Sequence, residues 1–343
     1  MPPTPYVVID TDIVDDNIAR MAEAARAHGQ RLRPHYKTHK LHEIADRQRA
    51  AGATSASVAT IGEAEVFDKV GDLFIAYPLN ASPAAAARIN ALRSRVILGI
   101  DSVETAARWG SSGLSTSTSF AIEVDSGHHR SGVPPHEVRP VAEALDKAGF
   151  QLMGLFTFPG HSYAPDAPRK AADDEAIALQ SARAELGRDD LVLSGGSTPS
   201  AVYADAEIID EIRPGVYVFN DAQQLELGTC TEEQIALKIR TTVVSRREDL
   251  HQVIVDAGSK IVGSDRPGWT TGYARVAKHP EARVPALSEH HGTVTFPEKS
   301  ALPAIGEELE IIPNHVCPVL NLVDTVRTTA GETWEVAARG KNG

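Results

Sequence analysis

The chain has almost no cysteine, only Cys230 and Cys317 in 343 residues. A disulfide framework is excluded, and the usage fits a reducing compartment. Positive charge is also short. The 34 Lys and Arg residues stand against 46 Asp and Glu, a formal charge of −12. A nucleic-acid-binding surface is not expected from that balance, which leaves room only for local basic sites. No apolar run approaches the roughly 20 residues that span a bilayer. The opening stretch MPPTPYVVIDTDIV has neither the basic nor the apolar region of a signal peptide. The expectation is a cytoplasmic protein with no membrane partner. Internal repeats are missing too, and the Ser/Thr run at 111–119 reads as a surface loop.

What is present is an ordinary globular composition, 42% hydrophobic and 23% charged, with 26 Gly and 21 Pro. The length calls for two domains, or one large α/β barrel with an addition. Residues 5–10 read as a strand. Asp12 reads as the cap of a helix carrying Ile13, Ile18, Met21 and Ala25 on one face. From Arg31 onward, strand and helix patterns alternate about eight times, the last strand falling at 216–219. Short connections between alternating elements imply parallel strands with crossover helices. About eight such units predict a (β/α)8 barrel with its chemistry at the carboxyl ends of the strands. A doubly wound open sheet is the alternative that strand count leaves open. After residue 232 the segments become short, β-branched and alternating, as in KIRTTVVSR and ELEIIP, which predicts an all-β domain. The expected division is a barrel over 12–231 and a β-domain over 232–343, joined by 1–11.

Polar clusters follow several of the strands. RLRPHYKTHK places Lys37 at the end of the first barrel strand, with His35, His39 and Lys40 around it. A desolvated lysine beside other cations has a lowered pKa and is suited to Schiff-base chemistry. By itself the segment reads equally as a solvated basic loop. SGGSTPS supplies two glycines and the hydroxyls of Ser194, Ser197 and Thr198 after the seventh strand, a recurrent phosphate position in barrels. Neither a Walker A loop nor GxGxxG spacing is present, and a plain Gly/Ser turn is the alternative. EVDSGHHRSG carries His128, His129 and Arg130, with adjacent histidines expected to diverge. In PNHVCP, His315 and Cys317 lie on one face if the segment is extended. A nitrogen and a thiolate suit zinc, and two ligands would leave open positions. A capping histidine and a buried cysteine is the other reading.

A Schiff-base lysine and a phosphate cradle at one barrel mouth are what pyridoxal 5′-phosphate (PLP) requires. At this point the sequence resembles the alanine racemase-like (fold type III) PLP enzymes. Within them, RPHYKTHK, EVDSGHHRSG, GHSY, SGGSTPS, RPGVYVFND and PNHVCP resemble the D-serine dehydratase and D-threonine aldolase branch. The resemblance runs from residue 31 to residue 318 and implies roles position by position. Lys37 would carry PLP and act as the base at Cα, with His35 near the cofactor. Arg130 would face the pyridine nitrogen. Ser194, Gly195, Gly196, Ser197 and Thr198 would cradle the phosphate, helped by Tyr217. His315 and Cys317 would bind a divalent metal, zinc first, with manganese or magnesium as alternatives. A His-x-Cys pair is similar to the dehydratases, whereas the aldolases tend to show His-x-Asp. Relatives often have an aromatic hydroxyl near strand six, where this chain has Phe156 and Phe158, so that the tyrosine is displaced to Tyr163 or missing. His161 is the candidate for polarising a β-hydroxyl or a metal-bound water, and Lys40 is expected in solvent. The implied activity is β-elimination from a small D-β-hydroxy amino acid by a homodimer. Retro-aldol cleavage, racemisation and non-catalytic PLP carriage are the competing functions.

Overall fold

A computed structural model describes residues 3–343. The chain opens with strand β1 (Tyr6–Ile9) and helix Thr11–Ala27. Asp10, rather than Asp12, caps that helix, its Oδ1 accepting the N–H groups of Asp12 and Ile13 at 3.1 and 3.3 Å. Eight parallel strands follow: β2 (Arg31–Leu32), β3 (Ala56–Val58), β4 (Asp72–Pro78), β5 (Arg95–Ile100), β6 (Ser119–Glu123), β7 (Gln151–Phe156), β8 (Val192–Gly195) and β9 (Glu211–Ile212). The predicted last strand at 216–219 is instead a 3₁₀ turn, Val216–Val218. The place beside β8 is taken by the two-residue β9, whose charged Glu211 hides it from an apolar-run reading.

The eight strands lie in the order β2-β9-β8-β7-β6-β5-β4-β3. Beyond β2 the chain continues along β3. Tyr36 N–H donates to Ser57 C=O at 2.8 Å, and Ser57 N–H to Pro34 C=O at 2.9 Å, which brings the two ends of the sheet together. The central strands are buried on both faces, as Val96 to Ile100 and Phe120 to Ile122 show, because helices cover the outside and side chains fill the inside. Ser82, Ser102 and Thr60 each accept an N–H from the first turn of the following helix, which fixes where the crossover helices begin. Inside, Phe74 and Phe156 meet edge to face with centroids 4.9 Å apart. They pack with Ile97 and Ala121. These strands and helices belong to one compact unit made of Ala19–Lys37, Ile44–Gly215 and Gly340–Gly343.

A second unit holds the N-terminal residues through Ile18, Thr38–Glu43 and Val216–Arg339. Its strands are β10 (Leu237–Arg247), β11 (Gln252–Val255), β12 (Ala274–Val276), β13 (Arg283–Leu287), β14 (Gly292–Thr295), β15 (Glu308–Pro313), β16 (Thr325–Thr328) and β17 (Thr333–Glu335). β10 organises them. It pairs antiparallel with β1, β11 and β15, and buries Leu237, Ile239, Thr241 and Val243 in alternation. β1 also pairs in parallel with β16. Among the described residues, no helix is long and apolar enough to cross a membrane.

Candidate active site

In the barrel unit, backbone bonds hold the chain up to the residue before Lys37. His35 N–H donates to Pro214 C=O at 3.0 Å, and Tyr36 is tied to Ser57. Lys37 is the first side chain past this wall, half-buried, and its amine makes no ion pair or hydrogen bond among the described residues. Its Nζ lies 5.7 Å from the ring centroid of Phe158, and the Arg130 guanidinium lies 5.0 Å from the same ring. His128 meets Phe158 edge-on at 5.6 Å, and Tyr163 is 6.3 Å away. The structure therefore gathers Lys37, Arg130 and His128 around one aromatic ring after strands β2, β6 and β7.

His128 and His161 come from neighbouring loops that glycines allow to close up. A Cβ at Gly160 would stand 2.5 Å from His128 Nε2, and one at Gly127 would touch the His161 ring at 3.6 Å. Burial, then Arg130 and His161, push the His128 imidazole below its ordinary pKa, so it favours the neutral form. His161 Nε2 lies 3.3 Å from Asp174 Oδ2. His129 diverges as expected. Its backbone is left-handed (φ 57°), and its Nδ1 bonds Asp125 at 2.6 Å.

The SGGSTPS loop is engaged in several directions. Ser194 Oγ donates to Glu211 Oε1 at 2.7 Å and accepts from Arg213 Nη1 at 2.6 Å. Gly196 has φ +78°, and its N–H donates to Glu175 Oε2 at 2.8 Å. Ser197 Oγ lies 2.8 Å from both Ser162 Oγ and Ser200 Oγ, and Thr198 is almost buried beside them. Arg213 is buried over the Phe74 and Phe156 rings, 5.6 and 5.4 Å from their centroids, and also donates to Thr157 C=O. Glu175 and Arg213 carry the loop, yet neither stands out in sequence. Glu175 sits in a helix, and Arg213 reads as the start of a turn. The residues fit PLP in two respects: an unpaired, half-buried lysine beside a second cation, and a cluster of three hydroxyls after β8.

In the β unit, His315 is the N-cap residue of helix Val316–Leu322 and Cys317 lies in its first turn. The segment is not extended as the spacing argument assumed, yet the two side chains still meet. Burial opposes charging His315, but Cys317, Asp265 and Asp221 outweigh it and raise the imidazole well above its ordinary value. His315 Nδ1 lies 2.8 Å from Asp265 Oδ2, a carboxylate that orients the ring and leaves Nε2 for another partner. Cys317 Sγ donates to Thr38 Oγ1 at 3.3 Å. Asp221 is buried behind them and accepts the N–H of Val316 at 3.2 Å. A nitrogen and a sulfur with a carboxylate behind the nitrogen fit a borderline-soft divalent ion. Among the described residues, no group of three or more His, Cys, Asp or Glu side chains is placed to hold a metal. Asp265 lies 50 residues from His315 and no spacing rule could find it. Tyr217 is buried in the 3₁₀ turn of this unit, and His39 Nδ1 accepts the Leu41 N–H at 3.1 Å. Lys40, expected in solvent, is buried and donates to Ala338 C=O at 3.2 Å, on a left-handed backbone (φ 57°).

A parallel barrel with an unpaired lysine just past its first strand defines a class before any particular relative. Residues 9–223 match the alanine racemase N-terminal domain, and the chain belongs to that family of PLP enzymes. Residues 236–329 match the putative serine dehydratase domain. The D-threo-3-hydroxyaspartate dehydratase of Delftia sp. (strain HT23) is 35% identical, over 97% of this chain and 96% of that protein. Its solved structure has a TM-score of 0.89 and covers 98% of this chain and 97% of its own. D-serine dehydratase of Dictyostelium discoideum is 27% identical over 92% of this chain and 90% of that protein. The structure of D-threonine aldolase from Filomicrobium marinum has a TM-score of 0.83 at 27% identity, covering 98% of this chain and 96% of its own.

Proposed function

We propose that this protein is a PLP- and metal-dependent lyase that removes water from a small D-β-hydroxy amino acid, giving a 2-oxo acid and ammonia. The observation that carries this reading is Lys37, half-buried and without an ion pair or hydrogen bond among the described residues, close to Phe158 with Arg130 against the same ring. When bound, PLP supplies the electron sink for a carbanion at Cα. Lys37 holds the cofactor and moves the Cα proton. Arg130 would face the pyridine nitrogen, where its fixed charge would disfavour protonation. Ser197, Thr198 and the glycines before them carry the phosphate, helped by Ser194 and Tyr217, and His35 lies near the cofactor. His161 orients the β-hydroxyl.

His315 and Cys317 hold a divalent ion, zinc by their softness. Such an ion supplies the Lewis acid that a poor leaving group such as hydroxide needs. Asp265 fixes the His315 ring, and Thr38, the residue after Lys37 in sequence, meets the Cys317 thiol. In support, a cysteine-to-alanine variant of the Delftia dehydratase is described in a metal-free form. We take 12–231 as the cofactor-binding part and 232–343 with 1–11 as the metal-binding part of a cytoplasmic homodimer.

Retro-aldol cleavage is the second reading, favoured by the 29% identity to 3-hydroxy-D-aspartate aldolase of Paracoccus denitrificans over 98% of the chain. The test is incubation with D-serine, D-threonine, D-threo-3-hydroxyaspartate and their L-forms, with and without a chelator. A 2-oxo acid from a D-substrate, lost on chelation, is expected. Glycine with an aldehyde selects the aldolase, and no product from any D-substrate overturns both.

A further inference from the structure

Glu175 lies in the middle of helix Pro168–Leu186 and is fully buried. Its carboxyl is pressed against the loop after β8. Oε2 accepts the Gly196 N–H at 2.8 Å, and a Cβ on Gly195 would stand 2.4 Å from its Cδ. Oε1 has no hydrogen-bond partner among the described residues. The loop turns at once into Ser197, whose hydroxyl joins Ser162 and Ser200. A buried carboxyl thus stands directly behind the backbone that would carry a phosphate.

Little else compensates its charge. Among the described residues Arg213 is the cation acting on it, and that guanidinium is already shared with Ser194 and Thr157. The remaining charged groups on elements packed against this helix look elsewhere. His161 of the turn Gly160–Ser162 lies against Asp174, which also takes Lys170. Arg139 of helix Val138–Lys147 pairs with Glu185, and His136 with Glu137. Arg169 covers Tyr203 of the turn Ala201–Tyr203. Burial raises the Glu175 carboxyl to about 7, with Gly196 N–H and Arg213 pulling the other way.

We propose that Glu175 is a positioning residue that couples one proton to occupancy of the phosphate loop: ionised when the loop holds no anion, it takes up a proton from solvent when a phosphate monoester dianion binds. This rests on the phosphate reading of the Ser197 loop given above. Two anions on opposite sides of one glycine backbone repel strongly where water is excluded, so the carboxylate gives way by protonation. The neutral acid still accepts the Gly196 N–H through its carbonyl oxygen, and the loop keeps its shape. Because binding takes up a proton, affinity is highest at low pH. It falls as pH rises above about 7, where the empty-loop carboxyl is ionised, by up to about tenfold per pH unit.

The test titrates the full-length protein, stripped of cofactor, with PLP and with pyridoxal, which has the aldehyde but no phosphate. Calorimetry at pH 8 in buffers of different ionisation enthalpy counts protons. Dissociation constants from pH 6 to 8.5 give the slope. The comparison is with Glu175→Gln, which removes the titratable carboxyl and leaves the other groups of the loop in place. Wild type is expected to take up close to one proton more per PLP than the variant, with the steeper affinity loss. Pyridoxal should not separate the two proteins. Equal uptake and equal slopes overturn the proposal while leaving the cofactor reading intact. If the variant does not fold, the wild-type difference between PLP and pyridoxal, corrected for the phosphate's own ionisation, decides: near one supports the coupling and zero overturns it. Failure of PLP to bind with a Schiff-base absorption band overturns the cofactor reading, and the coupling with it.

Discussion

Gly195→Ala should cost far more than a glycine-to-alanine change in a strand usually does. Gly195 is not at positive φ, so its backbone accepts alanine without strain. The cost comes from Glu175. A Cβ would stand 2.4 Å from Cδ and 2.5 and 2.7 Å from the two oxygens. Glu175 is fully buried in mid-helix, so it has no open direction in which to swing. Forcing a methyl into packed space costs about 1–3 kcal/mol. Moving the carboxyl away breaks its bond from Gly196, and losing a hydrogen bond to a charged group adds about 1.5–3 kcal/mol. The expected destabilisation is therefore about 2.5–6 kcal/mol. In a Glu175→Ala background the methyl enters vacated space, and the same change should cost about 1 kcal/mol or less. The coupling energy is then about 1.5–5 kcal/mol. Urea unfolding of the four proteins, followed by circular dichroism, measures it. Additivity within about 0.5 kcal/mol would refute the reasoning, because Gly195 would then be glycine for some reason other than Glu175.

Three further outcomes are expected. Lys37→Ala should abolish the Schiff-base absorption band and lower turnover by about 10²–10⁴ or more; a variant with full turnover would remove Lys37 from the mechanism. Asp265→Asn, which leaves the candidate metal donors His315 and Cys317 in place, should weaken metal retention about 10–100-fold in a chelator competition. Stability should also depend on pH through Glu175. Its carboxyl titrates at about 7 when folded against 4.5 when unfolded, so the stability associated with the neutral form is fully present below 4.5 and is lost as pH rises through about 7. The loss is roughly 3 kcal/mol, and Glu175→Gln should flatten that part of the unfolding profile.

Much of the fold is legible because periodicity reports burial. The alternation of short apolar runs with helical patterns implies eight parallel strands, and the structure has them. The β-branched texture after residue 232 implies the sheets built on β10. The reading slips where an element's sequence is decided by a partner rather than by its own burial. β9 is two residues long, and one of them is Glu211, buried because Arg33 and Ser194 meet it at 2.8 and 2.7 Å. A charged residue in a strand that short cannot be told from a turn, so the apolar stretch after it reads as the strand. Lys40 misleads in the same way. A lysine in a polar run reads as solvated, yet the Ala338 carbonyl far along the chain draws it inside.

The site was legible where one residue's chemistry suffices and illegible where it depends on a contact. Lys37 and the His315/Cys317 pair become candidates by type and spacing, and Arg130 by the family resemblance. Asp265 and Glu175 do not, because a carboxylate on a helix or loop is normally solvent-facing and only the fold shows what it meets. The glycines of SGGSTPS show why this matters for inference. Read from sequence, both glycines admit an anion to the backbone. In the structure Gly195 has no side chain because Glu175 occupies that space, and Gly196 has a positive φ with its N–H turned to the same carboxyl. The glycines therefore report a carboxyl behind the loop as well as any anion in front of it. If the loop carries a phosphate, a carboxylate that fixes it opposes the charge it holds, unless that carboxylate is protonated when the loop is filled. That tension follows from the contacts of one helix residue, and it makes the ionisation state of Glu175 the first property of this site to measure.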